Sequence, residues 1–105
     1  MIDILKDLPT ITIKYFQRQV TTDGSALPSF ISIPAYLFTE TGKNEFGILA
    51  IEERLYLNQS DCPNLSNGDY FEIGSQDYEA NTVILNNNLP EIKPHFRVEI
   101  SKKLN

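Results

Sequence analysis

A chain of 105 residues and 12.0 kDa has room for one domain with a core large enough to fold alone, and none for a multidomain enzyme. Nine Lys and Arg against 14 Asp and Glu leave 9 − 14 = −5, which argues against a surface that grips phosphate backbones, so no tight nucleic-acid binding is expected. The one cysteine, Cys62, has no disulfide partner, and one histidine cannot complete a zinc site with it; no metal or cofactor is expected, and a reducing cytosol fits.

The segment 1–9 carries charges at Asp3, Lys6 and Asp7 that interrupt any apolar run, and no stretch reaches the ~20 apolar residues of a membrane span. No membrane association is expected, and helix is expected only over residues 2–8. Residues 10–16 place Ile11, Ile13 and Tyr15 on one face and Thr12 and Lys14 on the other, the period of a strand. The stretch 21–29 follows, with an Asp-Gly turn signal and a proline. Thr21, Thr22, Asp23, Gly24, Ser25, Leu27 and Pro28 form a connection too long for a tight hairpin, and it is read as a mobile loop.

Residues 30–38 are rich in β-formers, but Pro34 lacks the N–H of a central ladder, which places it at an edge or a bulge. Residues 39–45 read as a polar loop. In 46–57, Ile48, Ile51 and Leu55 have helical spacing while residues 54–57 alternate; the reading is a strand with a break near Glu52 and Glu53. Asp61 then suits the start of a single helical or 3₁₀ turn, Pro63 its first turn, and Leu65 a return to the core. Asn67 and Gly68 stop that turn, both tolerating positive φ. Residues 70–73 put Phe71 and Ile73 inward, 74–77 reverse the chain, and Tyr78 begins the returning strand. Residues 86–94, with Asn86, Asn87, Asn88, Leu89 and Pro90, show no periodicity and read as a second mobile loop. Residues 95–101 alternate Phe96, Val98 and Ile100 against Arg97, Glu99 and Ser101, a clean strand. The whole is one mainly β domain over residues 1–105: a small antiparallel β-barrel with long flexible loops and a short helical turn.

Chemistry is sparse. No nucleophile elbow, phosphate-cradling loop or His-Glu metal motif occurs, so no catalytic residue is assigned and no enzyme is expected. His95 reads as an exposed strand end and Cys62 as a small packed hydrophobe. Glu52 with Glu53, and Asp77 with Glu79, read as solvated edge charges, because strand neighbours face opposite sides and the second pair flanks a turn. Asn58 opens a glycosylation sequon that reads as an exposed polar strand end.

The pattern Asp61, Pro63, Leu65, Gly68, Asp69, Ile73, Gly74, Tyr78 resembles that of small phage neck proteins, and in particular is similar to the head-tail joining, or tail-attachment, family of lambda-like phages and prophages. The likeness runs from about residue 11 to 100 and is specific over 55–85. Family members often carry a longer helical segment before the first strand than the ten or so residues found here. The resemblance implies a structural virion protein of the neck, made in the host cytoplasm, which joins the DNA-filled head to the tail. It also implies a ring expected to hold six copies, between portal or head-completion proteins and the tail-tube or tail-terminator protein. A head-closure or tail-completion protein is the alternative within phages, and a non-viral β-barrel binding or adaptor module the alternative outside them. The isolated chain is expected to be a monomer, with the loops at 21–29 and 86–94 as its assembly surfaces.

Overall fold

Ile13 and Tyr15 alternate with Thr12 and Lys14, so a strand there can bury one side and wet the other. In the computed structural model, which describes residues 2–16, 30–43 and 45–103, they lie in β1 (Ile11–Phe16) with Ile13 and Tyr15 buried. β2 (Phe30–Lys43), β3 (Leu49–Asn58), β4 (Tyr70–Ile73), β5 (Gln76–Asn86) and β6 (His95–Lys102) complete a closed antiparallel barrel in the order β1-β2-β3-β6-β5-β4, with β4 pairing back to β1. Closure leaves no free edge around the barrel wall. Its interior is filled by one inward face of each strand: Ile13 and Tyr15, Ile33 and Ala35, Leu55 and Leu57, Phe71, Tyr78 and Ala80, and Phe96, Val98 and Ile100. Cys62 and Leu65, from the connection between β3 and β4, join that core.

Pro34 is tolerated in a fourteen-residue strand because β2 changes partners beside it. Residues 30–35 pair with β1, whereas pairing with β3 runs only from Tyr36 to Lys43, so the missing N–H costs no bond to β3. β5 carries a bulge: Ala80 faces Ile100 and Thr82 faces Glu99, leaving Asn81 as the extra residue.

Several expectations are corrected. Residues 2–8 form no helix. Lys6 N–H reaches Asp3 O at 3.2 Å and Leu8 N–H reaches Leu5 O at 3.3 Å, so successive turns use up the segment. Ile2 meanwhile bridges in parallel to Ile92, a long-range pairing that a stretch too short to nucleate helix yields to. The polar stretch 39–45 is not simply a loop, because β2 continues through Lys43 opposite β3. β3 begins at Leu49 and has no break at Glu52 and Glu53. What changes there is the neighbour: pairing with β6 begins at Glu53. The 3₁₀ turn is Gln59–Asp61, so Asp61 ends it, and Pro63 lies beyond its C-cap, Cys62. Pro63 instead takes the second place of the next turn, closed by Leu65 N–H on Cys62 O at 3.1 Å. The hairpin reversal is two residues, Gly74 and Ser75, with Gly74 at φ 65 and Gln76 already in β5.

Candidate assembly surfaces

Of the motif residues, Gly68 and Asp69 build a brace. Ser66 to Asp69 form a turn in which Gly68 takes φ 92; Asn67 does not share the positive φ. Gly68 N–H donates to Ala80 O at 2.9 Å and Ala80 N–H to Asp69 O at 2.8 Å, seating the turn on β5 at its bulge. Asp69 is 1% exposed, and its Oδ2 accepts from the Tyr15 hydroxyl at 2.7 Å and from the Ser66 N–H at 2.9 Å. Burial first, and then Asp69, push the Tyr15 hydroxyl far above the ordinary phenol range. Cys62 is pushed up to about 12 by burial, then by the charges of Asp61 and Asp69, which makes it an inert core thiol. Leu65 and Tyr78 are buried, and Ile73 packs against the core from a half-buried position. The motif holds β1, β4 and β5 in register and offers no reactive group.

Of the loop residues singled out from the sequence, Thr21, Thr22, Asp23, Gly24, Ser25, Leu27 and Pro28 lie outside the described residues. The second loop is placed. Asn86 ends β5, Asn87 and Pro90 are exposed, and Asn86, Asn88 and Leu89 join Ile4, Ile92 and His95 around an open cavity of about 460 Å³. Its floor is held by the N-terminal segment: Ile2 N–H donates to Glu91 O and Lys93 N–H to Ile2 O, both at 2.7 Å. Asp3 anchors the same segment, accepting from Leu5 N–H at 2.9 Å and from the buried Asn58 side-chain amide at 3.1 Å. Those donors, Leu5 first and Asn58 second, draw its carboxyl below the ordinary 3.8. His95 Nδ1 lies 3.2 Å from Lys93 O and Nε2 lies 3.4 Å from Asn86 Nδ2.

A third surface has no counterpart among the sequence assignments. Beyond Glu53 and Thr39, among the described residues, β2 and β3 run on as a two-stranded arm with Thr39 opposite Glu53, Thr41 opposite Ile51 and Lys43 opposite Leu49. Leu49 is 63% exposed and Ile51 64%, with Phe46 and Ile48 exposed at the tip. Arg54 stiffens the root: its Nη2 reaches Glu52 at 3.0 Å and Glu40 at 3.3 Å, and the guanidinium stands 5.8 Å over the Phe38 ring. The apolar residues Leu49 and Ile51 were the available signal, but their spacing alone does not tell an exposed strand face from a buried one.

Chemical clusters are absent among the described residues: no three His, Cys, Asp or Glu side chains converge as metal ligands. Glu52 and Glu53 face opposite sides, Glu52 to Arg54 and Glu53 to the Tyr78 hydroxyl. No described helix is long and apolar enough to cross a membrane. Comparison with known proteins finds no family model and no curated sequence that matches the chain.

Proposed function

We propose that this chain is a structural neck protein that joins a DNA-filled phage head to its tail, assembled as a ring of six copies in the virion. The observation that carries the reading is the arm. The barrel's interior is filled by its own side chains, yet it projects a hairpin that leaves Leu49 and Ile51 in water, and apolar surface of that kind marks a contact with another protein. The Asp61-to-Tyr78 stretch supports the same assignment, because its residues resemble the head-tail joining pattern and Asp69 within it serves to hold a barrel. The partners are then portal or head-completion proteins on one side and the tail-tube or tail-terminator protein on the other. The role is geometric, with many weak contacts engaged together.

Deleting the gene from an inducible prophage should leave DNA-filled heads and finished tails unjoined, and adding purified protein to that lysate should restore whole particles. Absent tails or empty heads would transfer the chain to tail completion or head closure. Normal, infectious particles would remove it from the neck.

A further inference from the structure

We propose that the arm of one copy docks into the 460 Å³ cavity of the next, seating Leu49 and Ile51 against Ile4, Leu89 and Ile92. The proposal rests on the ring reading and names its subunit contact. A two-stranded ribbon is marginal in water, and this one adds exposed aliphatic side chains on the face that, farther along β3, becomes the barrel core at Leu55. It needs a cover. The cavity has complementary walls: three aliphatic side chains and three polar ones, Asn86, Asn88 and His95, with no acid among them. Charge does not oppose the fit: over residues 39–54 the arm holds Glu40, Glu45, Glu52 and Glu53 against Lys43 and Arg54, 2 − 4 = −2, while on the cavity loop Lys93, which lines the adjoining hollow, offsets Glu91. The outer edge of β3 from Leu49 to Glu52 lacks β6 as a neighbour, and an Asn carboxamide can both donate to and accept from such backbone.

A chain cannot fill its own cavity. β3 begins in the arm at Leu49 and ends at Asn58, which pairs with His95 of the cavity wall; ten residues at ~3.3 Å each put about 30 Å of strand between knob and hole. Knob and hole are different surfaces at opposite ends of the barrel, so the contact is heterologous, and it closes into a ring when the rotation per copy divides the full circle.

Sedimentation velocity between ~10 µM and ~1 mM, the range of a weak single contact, tests this. The wild-type chain should move from monomer to larger species as concentration rises. Ile51→Asp, which spoils the knob, and Leu89→Asp, which spoils the hole, should each remain monomeric; both sites are exposed, and circular dichroism should show the same fold. Mixed in equal amounts, they keep one intact knob and one intact hole, and should form a dimer that grows no further. A wild-type monomer at ~1 mM overturns the proposal. So does association by Leu89→Asp alone, which would mean that arms pair with arms, and so does a mixture that stays monomeric. The neck assignment stands or falls separately, on the deletion phenotype: unjoined heads and tails with no knob-in-hole dimer would mean a ring built on another surface.

Discussion

Replacing Asp69 with Ala takes the acceptor from the buried Tyr15 hydroxyl and from the part-buried Ser66 N–H. A buried donor left without a partner costs on the order of 1–3 kcal/mol, and with the Tyr15 hydroxyl orphaned the variant should lose about 1–3 kcal/mol in urea unfolding. Tyr15→Phe removes one donor and leaves Asp69 its Ser66 bond, and should lose less. Equal stability of Asp69→Ala and wild type would show that the brace holds nothing. Gly68 was legible as the residue that needs a left-handed backbone, since that demand is local. The Tyr15 contact was not, because its partners stand 54 residues apart and no spacing rule joins them. Asp3 carries a second test at this scale. Leu5 N–H and the Asn58 amide hold its carboxyl below 3.8, so the folded chain binds that proton less tightly than the unfolded chain does. The resulting stabilisation is fully present above the unfolded value and is lost as pH falls through the lower folded one. Wild type should therefore lose more stability than Asp3→Asn as pH is taken down through that range, with the Lys93 amide exchanging faster as the N-terminal clasp loosens. Identical acid profiles for the two would remove Asp3 as an anchor.

At the scale of elements, alternation was readable wherever one face is buried. β6 is the clearest case, with Phe96, Val98 and Ile100 inward as their spacing demands. The arm was unreadable for the converse reason: from Thr39 to Lys43 no face is buried, so nothing selects alternation and the strand imitates a polar loop. The apparent helical spacing of Ile48, Ile51 and Leu55 has the same origin, since only Leu55 is fixed by the core. Stability should divide along this line. Amides of the arm are held by one neighbouring strand in solvent, whereas those of Leu55 and Leu57 sit between β2 or the core on one side and β6 on the other. Hydrogen exchange should find residues 39–43 and 49–52 opening well before 55–57. The loop 86–94 should divide too, with the Lys93 amide, bonded to Ile2, slower than those of Asn87 and Asn88. Uniform exchange across arm and barrel would mean that the arm is already covered in the isolated chain.

For the whole molecule, the β-barrel followed from strand period and turn residues, but closure between β1 and β4 and the β3–β6 pairing are long-range choices with no local signature. Charge is the whole-molecule property with the most direct consequence for the proposed role. Six copies would carry 6 × −5 = −30 formal charges, and a ring of that sign repels the phosphates of a passing genome. A conduit gains from this, since DNA that must slide through the neck should find no grip there, whereas a clamp would gather its Lys and Arg on one face. Here several are committed to acids: Lys14 to Glu72, Arg54 to Glu40 and Glu52, and Arg97 to Glu99. Purified protein should give no fluorescence-anisotropy change with a labelled duplex at physiological salt, and none should appear as salt is lowered toward ~50 mM, where phosphate contacts strengthen steeply. Saturable binding that weakens with added salt would place a basic surface in the assembled protein and end the conduit reading, leaving a neck protein that holds its DNA instead of letting it pass.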